Sequence, residues 1–481
     1  MNTIRTFLLG LATAGFLVAG QAHATDLWDV YQLALKNDPT FQQAQANYEA
    51  QVENKAIARA GYLPNLTLNA SRQRSENNGD QIGILPGGGF GLTNFQSTTY
   101  NTNYNVQLRQ PIFDWAAWKS MDQADATVAQ AEADFESAKQ DLILRTATAY
   151  FNVLNARDTL AANDAAKQAY AKQLEQAKEK YQVGMSAITD VQEAQAAYDL
   201  AVANEINAQQ QVTTAEEQLR AITGEPVGDL QEPVPDMPLR SPDPASAKQW
   251  VEQALKQNPN LLSAQAAAQA ASANVGIKQA NDYYPTLSLV AQRNKNHNTG
   301  NNIFDLSDTN GTVIGVQLSF PLFSGGGATA QVTQAQRQYD AAEDQAKLVT
   351  RQTEQQTRTA YLGVLTGISQ VQAYKQSVQS NQTSLQATET GMQVGTRTIV
   401  DVLTARQNLL NAQTSFANSR YTYLKSVLQL KQAAGILGPE DVKQINSMMQ
   451  VTAPNPGTDT QADTSMNDPA AMKAAGTGAG G

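Results

Sequence analysis

Cysteine is absent from the 481 residues, and histidine occurs only at His23 and His297. Without thiols the fold owes nothing to disulfides, and there is no cysteine to carry a lipoprotein anchor. With so little imidazole, histidine metal clusters and Ser-His-Asp or Cys-His catalysis lack their material. Beyond the first 24 residues no segment offers roughly 20 unbroken apolar side chains, so no transmembrane helix is expected. Aromatic residues make up 7% of the chain, which is rich in Ala and Gln. A single compact core of this length would use more Leu, Ile, Val and Phe, so long helices packed through small side chains fit better. The net charge of −10 argues against a nucleic-acid partner.

What is present begins with "MNTIRTFLLGLATAGFLVAGQAHA", Met1 to Ala24. A basic start at Arg5, an apolar run and the small-x-small end Ala22-His23-Ala24 give it the build of a cleaved secretory signal. The remainder repeats itself at an offset of about 210 to 220 residues. "ALKNDPTFQQAQA" (Ala34 to Ala46) returns as "ALKQNPNLLSAQA" (Ala254 to Ala266), and "GYLPNLTL" (Gly61 to Leu68) as "DYYPTLSL" (Asp282 to Leu289). "LRQPIF" (Leu108 to Phe113) returns as "LSFPLF" (Leu318 to Phe323) and "TAYFNVL" (Thr148 to Leu154) as "TAYLGVL" (Thr359 to Leu365). "QLRAITG" (Gln218 to Gly224) returns as "QLKQAAG" (Gln429 to Gly435). The order is kept throughout, so the chain is an internal duplication. Six prolines between Gly224 and Pro244 mark a linker or extended crossing segment. After Gln450 the sequence runs to Pro, Gly, Thr, Asp and Ala, the composition of a disordered tail.

Each half changes period in the same order. Leu27 to Ala60 reads as a helix. Leu66, Leu68 and Ala70 then alternate with Asn65, Thr67, Asn69 and Ser71. After a polar, Gly-rich stretch, "SENNGDQIGILPGGGFG", read as a loop, Tyr100, Thr102, Tyr104, Val106 and Leu108 alternate with Asn101, Asn103, Asn105, Gln107 and Arg109. This period of two predicts strands of about 10 to 12 residues. From Ala116 to Gln182 there is neither proline nor glycine, which predicts one helix about 100 Å long. A shorter helix follows from Asp190 to Leu219. The second half predicts strands near Pro285 to Gln292 and Thr312 to Phe320, a long helix from Thr329 to Gln393 and a shorter one from Asp401 to Ala433. The shorter helices, stacked end to end, could run antiparallel beside the long ones.

Each strand has one apolar face and one dominated by Asn and Gln. An outer-membrane barrel uses such strands, and so does a soluble antiparallel sheet lying on helices. Four strands cannot enclose a lumen, and an open edge in lipid is forbidden, so a membrane barrel here needs several chains. Trp115 and Trp118 suit an interfacial belt or ordinary core contacts equally.

"VGTRTIVDVL" (Val394 to Leu403), "VGMSAITDVQ" (Val183 to Gln192), "FPLFSGGG" (Phe320 to Gly327) and "YLPNLTL" (Tyr62 to Leu68) resemble the TolC family of trimeric outer-membrane exit ducts of Gram-negative bacteria, the outer membrane factors. The resemblance covers nearly everything from Asp26 to Gln450. It implies a homotrimer that shares a transmembrane β-barrel, four strands from each chain, above an internally duplicated α-helical coiled-coil tunnel. A small equatorial mixed α/β belt is built from the linker and the region after Gly435. The implied divisions are a signal peptide (1–24), a first repeat (25–223), an equatorial linker (224–245), a second repeat (246–436), an equatorial extension (437–450) and a disordered tail (451–481). The implied role is passive export in tripartite efflux and type I secretion. The implied partners are outer-membrane lipid, a periplasmic adaptor and an inner-membrane ABC, RND or MFS transporter, with no cofactor and no metal.

Two segments that interrupt the helical pattern, "YQVGMSAITDVQEAQ" (Tyr181 to Gln195) and "MQVGTRTIVDVLTAR" (Met392 to Arg406), fall at turns between a long helix and its antiparallel successor. Gly184 and Gly395 can adopt positive φ and end the long helices, and the Ser and Thr residues before Asp190 and Asp401 can cap the next ones. With Val183 and Val394 these glycines are the expected tip and adaptor contact. The resemblance puts Asp401 at the narrowest part of the tunnel, where three copies would repel one another, raise their carboxyl pKa and attract cations. On the residues alone a helix-start carboxylate favoured by the macrodipole is the simpler reading. Arg397 matches the family's latch arginine, and Thr189 and Asp190 match its partners on the neighbouring hairpin. Met392 and Thr404 depart from the family, standing where better-known members have a tyrosine and a second gate aspartate, so a single acidic ring and a weaker latch are expected.

"SGGGATA" (Ser324 to Ala330) is Gly-rich between a strand and a helix but lacks the Gly-Lys-Ser/Thr ending of a phosphate loop. A strand-to-helix joint is the expectation. "GGGFG" (Gly87 to Gly91) is expected in an external loop. Two other classes of protein compete: a pore-less periplasmic coiled-coil protein, against which the polar strand faces argue, and an envelope hydrolase, for which no catalytic set is present.

Overall fold

In the computed structural model the described residues are 25–84, 87–234, 237–301 and 306–450. The signal and tail segments lie outside them. Two helices dominate: α4 (Trp115–Gln182, 68 residues) and α8 (Gly327–Gln393, 67 residues). At 1.5 Å per residue each is about 100 Å long. The shorter partners are α5 (Ile188–Thr223) and α9 (Ile399–Ala433), each folded back on the long helix before it. Nearer the sheet α4 lies against α7 (Pro259–Tyr283), which also touches α8.

The expected single helix from Leu27 to Ala60 is three: α1 (Leu27–Asn37), α2 (Pro39–Val52) and α3 (Asn54–Ala60). Pro39 disfavours the helical region for the residue before it, and Asp38 is extended at ψ 115°. The Asp38 carboxylate turns this break into a cap, accepting from the Thr40 N–H at 2.8 Å and from Arg145 Nη2 at 2.6 Å while 2% exposed. The second half repeats the device between α6 (Ala247–Gln257) and α7. There Asn258 accepts from the Leu261 N–H at 3.2 Å and donates to the Ala433 carbonyl at 2.9 Å. Asn37 likewise donates to the Thr223 carbonyl at 2.7 Å. The duplication therefore extends to the clamps that fasten a short helix to the end of α5 or α9.

These junctions surround the one large core among the described residues. Leu142, Tyr150, Phe151 and Leu154 of α4 meet Leu219, Val364, Tyr421, Leu424 and Leu428. Around it lie α10 (Pro439–Asn446) and a two-stranded ribbon of β3 (Glu232–Pro233) and β6 (Met449–Gln450). Tyr150 donates to the Gln231 carbonyl at 2.7 Å, and Tyr421 to the Asp158 carboxylate at 2.8 Å. Burial pushes both phenols up, and it raises Asp158 as well. Away from this equator the helices meet through small clusters such as Ala166, Tyr170, Ala201 and Leu410.

The four long strands form one antiparallel sheet: β1 (Asn65–Ile84), β2 (Phe90–Phe113), β4 (Thr286–Gly300) and β5 (Ser307–Ser319), in the order β1-β2-β4-β5. They exceed the expected length, because pairing continues through most of the stretch read as a loop, from Asn65↔Arg109 to Ile84↔Phe90. Ile82, Ile84, Phe90 and Leu92 carry the period of two to the end of that hairpin.

Candidate pore lining and tip turns

The register gathers the amide-rich rows of the strands on one face. Asn69 lies opposite Asn105, which lies opposite Asn294, and Ser71-Asn103-Asn296-Thr309 forms the next row. Asn101 Nδ2 donates to Asn298 Oδ1 at 2.5 Å, and Asn298 Nδ2 to Ser307 Oγ at 3.0 Å, so amide rungs bridge three strands. Along β2 this face is the more sheltered one: Asn101, Asn103 and Asn105 are half-buried while Tyr100, Tyr104 and Val106 are exposed. The sheet thus curls with its amide side concave. Leu66, Leu68, Ile314, Val316 and Leu318 stand on the convex side, each more than 60% exposed. At the helix end of the sheet Phe113, Trp115, Trp118 and Tyr284 form a run of ring contacts at 5.3–6.2 Å.

At the opposite end of the helices the two glycine turns have the same geometry. Gly184 (φ +75°) and Gly395 (φ +80°) are left-handed. The Met185 N–H reaches the Lys180 carbonyl at 2.8 Å, and the Thr396 N–H the Gly391 carbonyl at 2.8 Å. These bonds close the last turn of α4 and α8. Val183, Met185 and Val394 are 69%, 76% and 71% exposed, an apolar tip on an otherwise polar shaft.

The helices that leave the turns begin differently. Thr398 and Asp401 form a capping box: the Asp401 N–H donates to Thr398 Oγ1 at 3.2 Å, and the Thr398 N–H to Asp401 Oδ2 at 2.9 Å. The expectation of a Ser or Thr cap fails for α5, whose N-cap is Ala187 with no side-chain bond. The Ser186 hydroxyl is buried without a partner, and Asp190 lies in the first turn.

Within one chain Asp401 does not have the raised pKa expected of a ring. The backbone and hydroxyl of Thr398 donate to its carboxylate, Arg397 stands nearby, and all three hold it below the usual range. The folded value is depressed, so this cap is fully present above the ordinary carboxylate pKa of about 3.9 and is lost as pH falls through the folded value. We expect amide protection at Ile399–Leu403, corrected for the intrinsic slowing of exchange in acid, to fall as pH drops below the ordinary carboxylate range, while α5, which lacks the box, changes little. Equal loss of protection in both helices would refute this.

Arg397 lies across Gly391, where an added Cβ would come within 2.7 Å of its Cγ. Among the described residues it forms no hydrogen bond or ion pair with Thr189 or Asp190 of its own chain. The two tips are neighbours nonetheless, since Ile399 packs on the cluster of Leu174, Ala177, Val191 and Ala194. Contacts not foreseen from sequence tie the second hairpin to α4: Gln173 Nε2 donates to Met392 Sδ at 3.8 Å, and Tyr170 to Gln407 Oε1 at 3.5 Å. Arg406 and Glu389 pair at 2.5 Å across α8 and α9.

A curled sheet with a wet concave face and an apolar convex one, joined to hairpins about 100 Å long, defines an outer-membrane channel that continues into a helical tunnel. The model of the outer membrane efflux protein family matches residues 30–225 and 250–436. The chain belongs to that family. It is 35% identical over 460 residues to outer membrane protein TolC of Escherichia coli, covering 93% of this chain and 90% of the relative. The alkaline protease secretion protein AprF of Pseudomonas aeruginosa is 31% identical, covering 92% and 91%. Among solved structures, the outer membrane protein VceC of Vibrio cholerae superposes with a TM-score of 0.70 at 23% identity, covering 85% of this chain and 96% of that one. The CmeC channel of Campylobacter jejuni superposes at 0.69 and 21% identity, covering 88% and 90%.

Proposed function

We propose that three copies of this chain assemble a passive exit duct in the outer membrane, with the helical tunnel in the periplasm. The observation that carries this is the sheet: its edges, β1 and β5, pair with no further strand among the described residues, while its convex face is apolar along the half nearer the helices. Open edges cannot persist in lipid, whereas three sheets joined edge to edge close a barrel. The repeats 25–223 and 246–436 then alternate around the tunnel, with 224–245 and 437–450 at the equator. A channel relative named for protease secretion and one named for efflux, BepC of Brucella suis, support a role in both type I secretion and tripartite efflux. A periplasmic adaptor docks at the exposed tip formed by Val183, Gly184, Val394 and Gly395, linking the duct to an inner-membrane ABC, RND or MFS transporter. No catalysis is assigned to it. The test is assembly and conduction: the detergent-extracted protein should have the mass of a trimer and conduct ions in planar bilayers. A water-soluble monomer would end the reading.

At the tip, three Asp401 carboxylates ring the axis, and Arg397 holds the tip shut through Thr189 and Asp190 of the neighbouring hairpin. Among the described residues the Arg397 guanidinium forms no hydrogen bond or ion pair and acts on Asp401 only through its charge, which supports a link across subunits. Arg397→Ser should raise the conductance of the isolated trimer, and identical single-channel currents would place the latch elsewhere.

A further inference from the structure

Charge on this sheet is distributed against the usual pattern of a membrane barrel. Among the described strand residues the concave face carries one charged side chain, Arg109, which reaches Ser288 Oγ at 3.4 Å. The convex face carries Arg72, Arg74, Arg293 and Lys295. Its acids are Glu76, paired with Arg74, then Asp80 and Asp308. A cation facing hydrocarbon at mid-bilayer is costly, and the cost falls near zero at the interface. The register gives the height. From Phe113 to Tyr104 the strand runs about 30 Å, or about 23 Å along the normal at a tilt near 40°, which matches an apolar band of about 25 Å. Lys295 lies opposite Tyr104, Arg72 opposite Thr102 and Arg74 opposite Tyr100. All three therefore stand at the upper rim of the band, on the side away from the helices. Arg293, opposite Val106, is one row lower and can snorkel up. Both guanidinium groups of β1 lie over the Tyr100 ring, at 5.8 and 6.0 Å, an aromatic and cationic belt at headgroup level.

We propose that this belt binds the phosphorylated headgroup of an outer-leaflet glycolipid, an inference that rests on the barrel reading above. The β1 and β4 pairs are separated by one strand, roughly 10 Å, within reach of one headgroup or of two neighbours. Arginine offers a planar fork of donors that matches phosphate. The chain's overall negative charge makes a local set of four cations at this height a specific feature. The ion pair between Arg74 and Glu76 is exposed and contributes little to holding the arginine back.

The test uses the detergent-solubilised trimer, titrated with diphosphorylated lipid A, with dephosphorylated lipid A and with inorganic phosphate, bound lipid being counted by native mass spectrometry. The wild type should bind diphosphorylated lipid A on the order of tenfold more tightly than the dephosphorylated form, and millimolar inorganic phosphate should not displace it. In R72Q/R74Q/R293Q/K295Q the two lipids should bind equally. Should that variant fail to trimerise, R72Q/R74Q and R293Q/K295Q are each expected to lose part of the preference. Equal binding of both lipids by the wild type, retention of the preference in the variants, or displacement by inorganic phosphate overturns the proposal. Conductance of the wild-type trimer is recorded on the same preparation. A conducting trimer without lipid preference sinks the belt alone, whereas a preparation that neither trimerises nor conducts sinks the duct.

Discussion

Asp401→Ala is expected to weaken block of the channel by multivalent cations on the order of tenfold or more, with the largest change for the most highly charged blockers. A cation on the axis would meet three unit charges at once, and its attraction scales with its own charge. Salt should reduce the difference, because an exposed ring is screened within about 8 Å at physiological ionic strength. The same substitution also removes the capping box, since Asp401 accepts from Thr398 at 2.9 Å. Asp401→Asn separates the two effects: the amide oxygen can still accept at the helix start, but the charge is gone. Equal loss of block in both variants assigns the effect to charge. Loss in Asp401→Ala alone would assign it to a frayed α9, and full block in both would remove Asp401 from the gate.

Gly435→Ala should be the most damaging single change at any of the glycine turns. Gly435 has φ +75°, and a methyl group there would come within 2.3 Å of the Gln257 carbonyl oxygen and 2.6 Å of Asn258 Cα. Those are backbone atoms at the clamp where Asn258 holds the end of α9, so no rotamer change relieves the contact. The left-handed conformation alone costs an alanine about 1 kcal/mol, and displacing the clamp brings the total to about 3 kcal/mol or more. The duplicated position, Gly224, meets only the Asn37 side chain, with its Cβ at 3.1 Å. Gly184 and Gly395 face open space. Alanine at each of those three should cost about 1 kcal/mol. Thermal midpoints of the trimers should follow that order, and a Gly435→Ala trimer as stable as Gly395→Ala would contradict the clamp.

The long helices, their turns and the two-faced strands were legible because each rests on a local period or on a single glycine. The break at Asp38-Pro39 was equally local, and the steric demand of proline should have divided the helix expected from Leu27 to Ala60. Strand length was less accessible. "SENNGDQIG" has the composition of a loop, and only pairing with the opposite strand, Asn77 with Ser97 and Asp80 with Asn94, makes it sheet. Capping divided by sequence detail: Thr398 stands three residues before a carboxylate and forms a box, whereas Ala187 precedes α5 and cannot. The ties of Tyr170 and Gln173 to the second hairpin span more than 200 positions of chain, a separation that no window of sequence reports. Nor did periodicity show the cations on the convex face, since Arg72 and Lys295 take their height only from register with Tyr100, Thr102 and Tyr104.

The large core grips α4 between Leu142 and Leu154, near the middle of the helix. Below it roughly 40 Å of shaft is held by two small clusters and a few polar ties. Mechanically this is a lever with its fulcrum at the equator, where a pivot of about 5° would carry the glycine turns roughly 4 Å sideways. Weak grips along the lower arm and a firm one at the pivot let a small push at the tip alter the aperture without disturbing the hub.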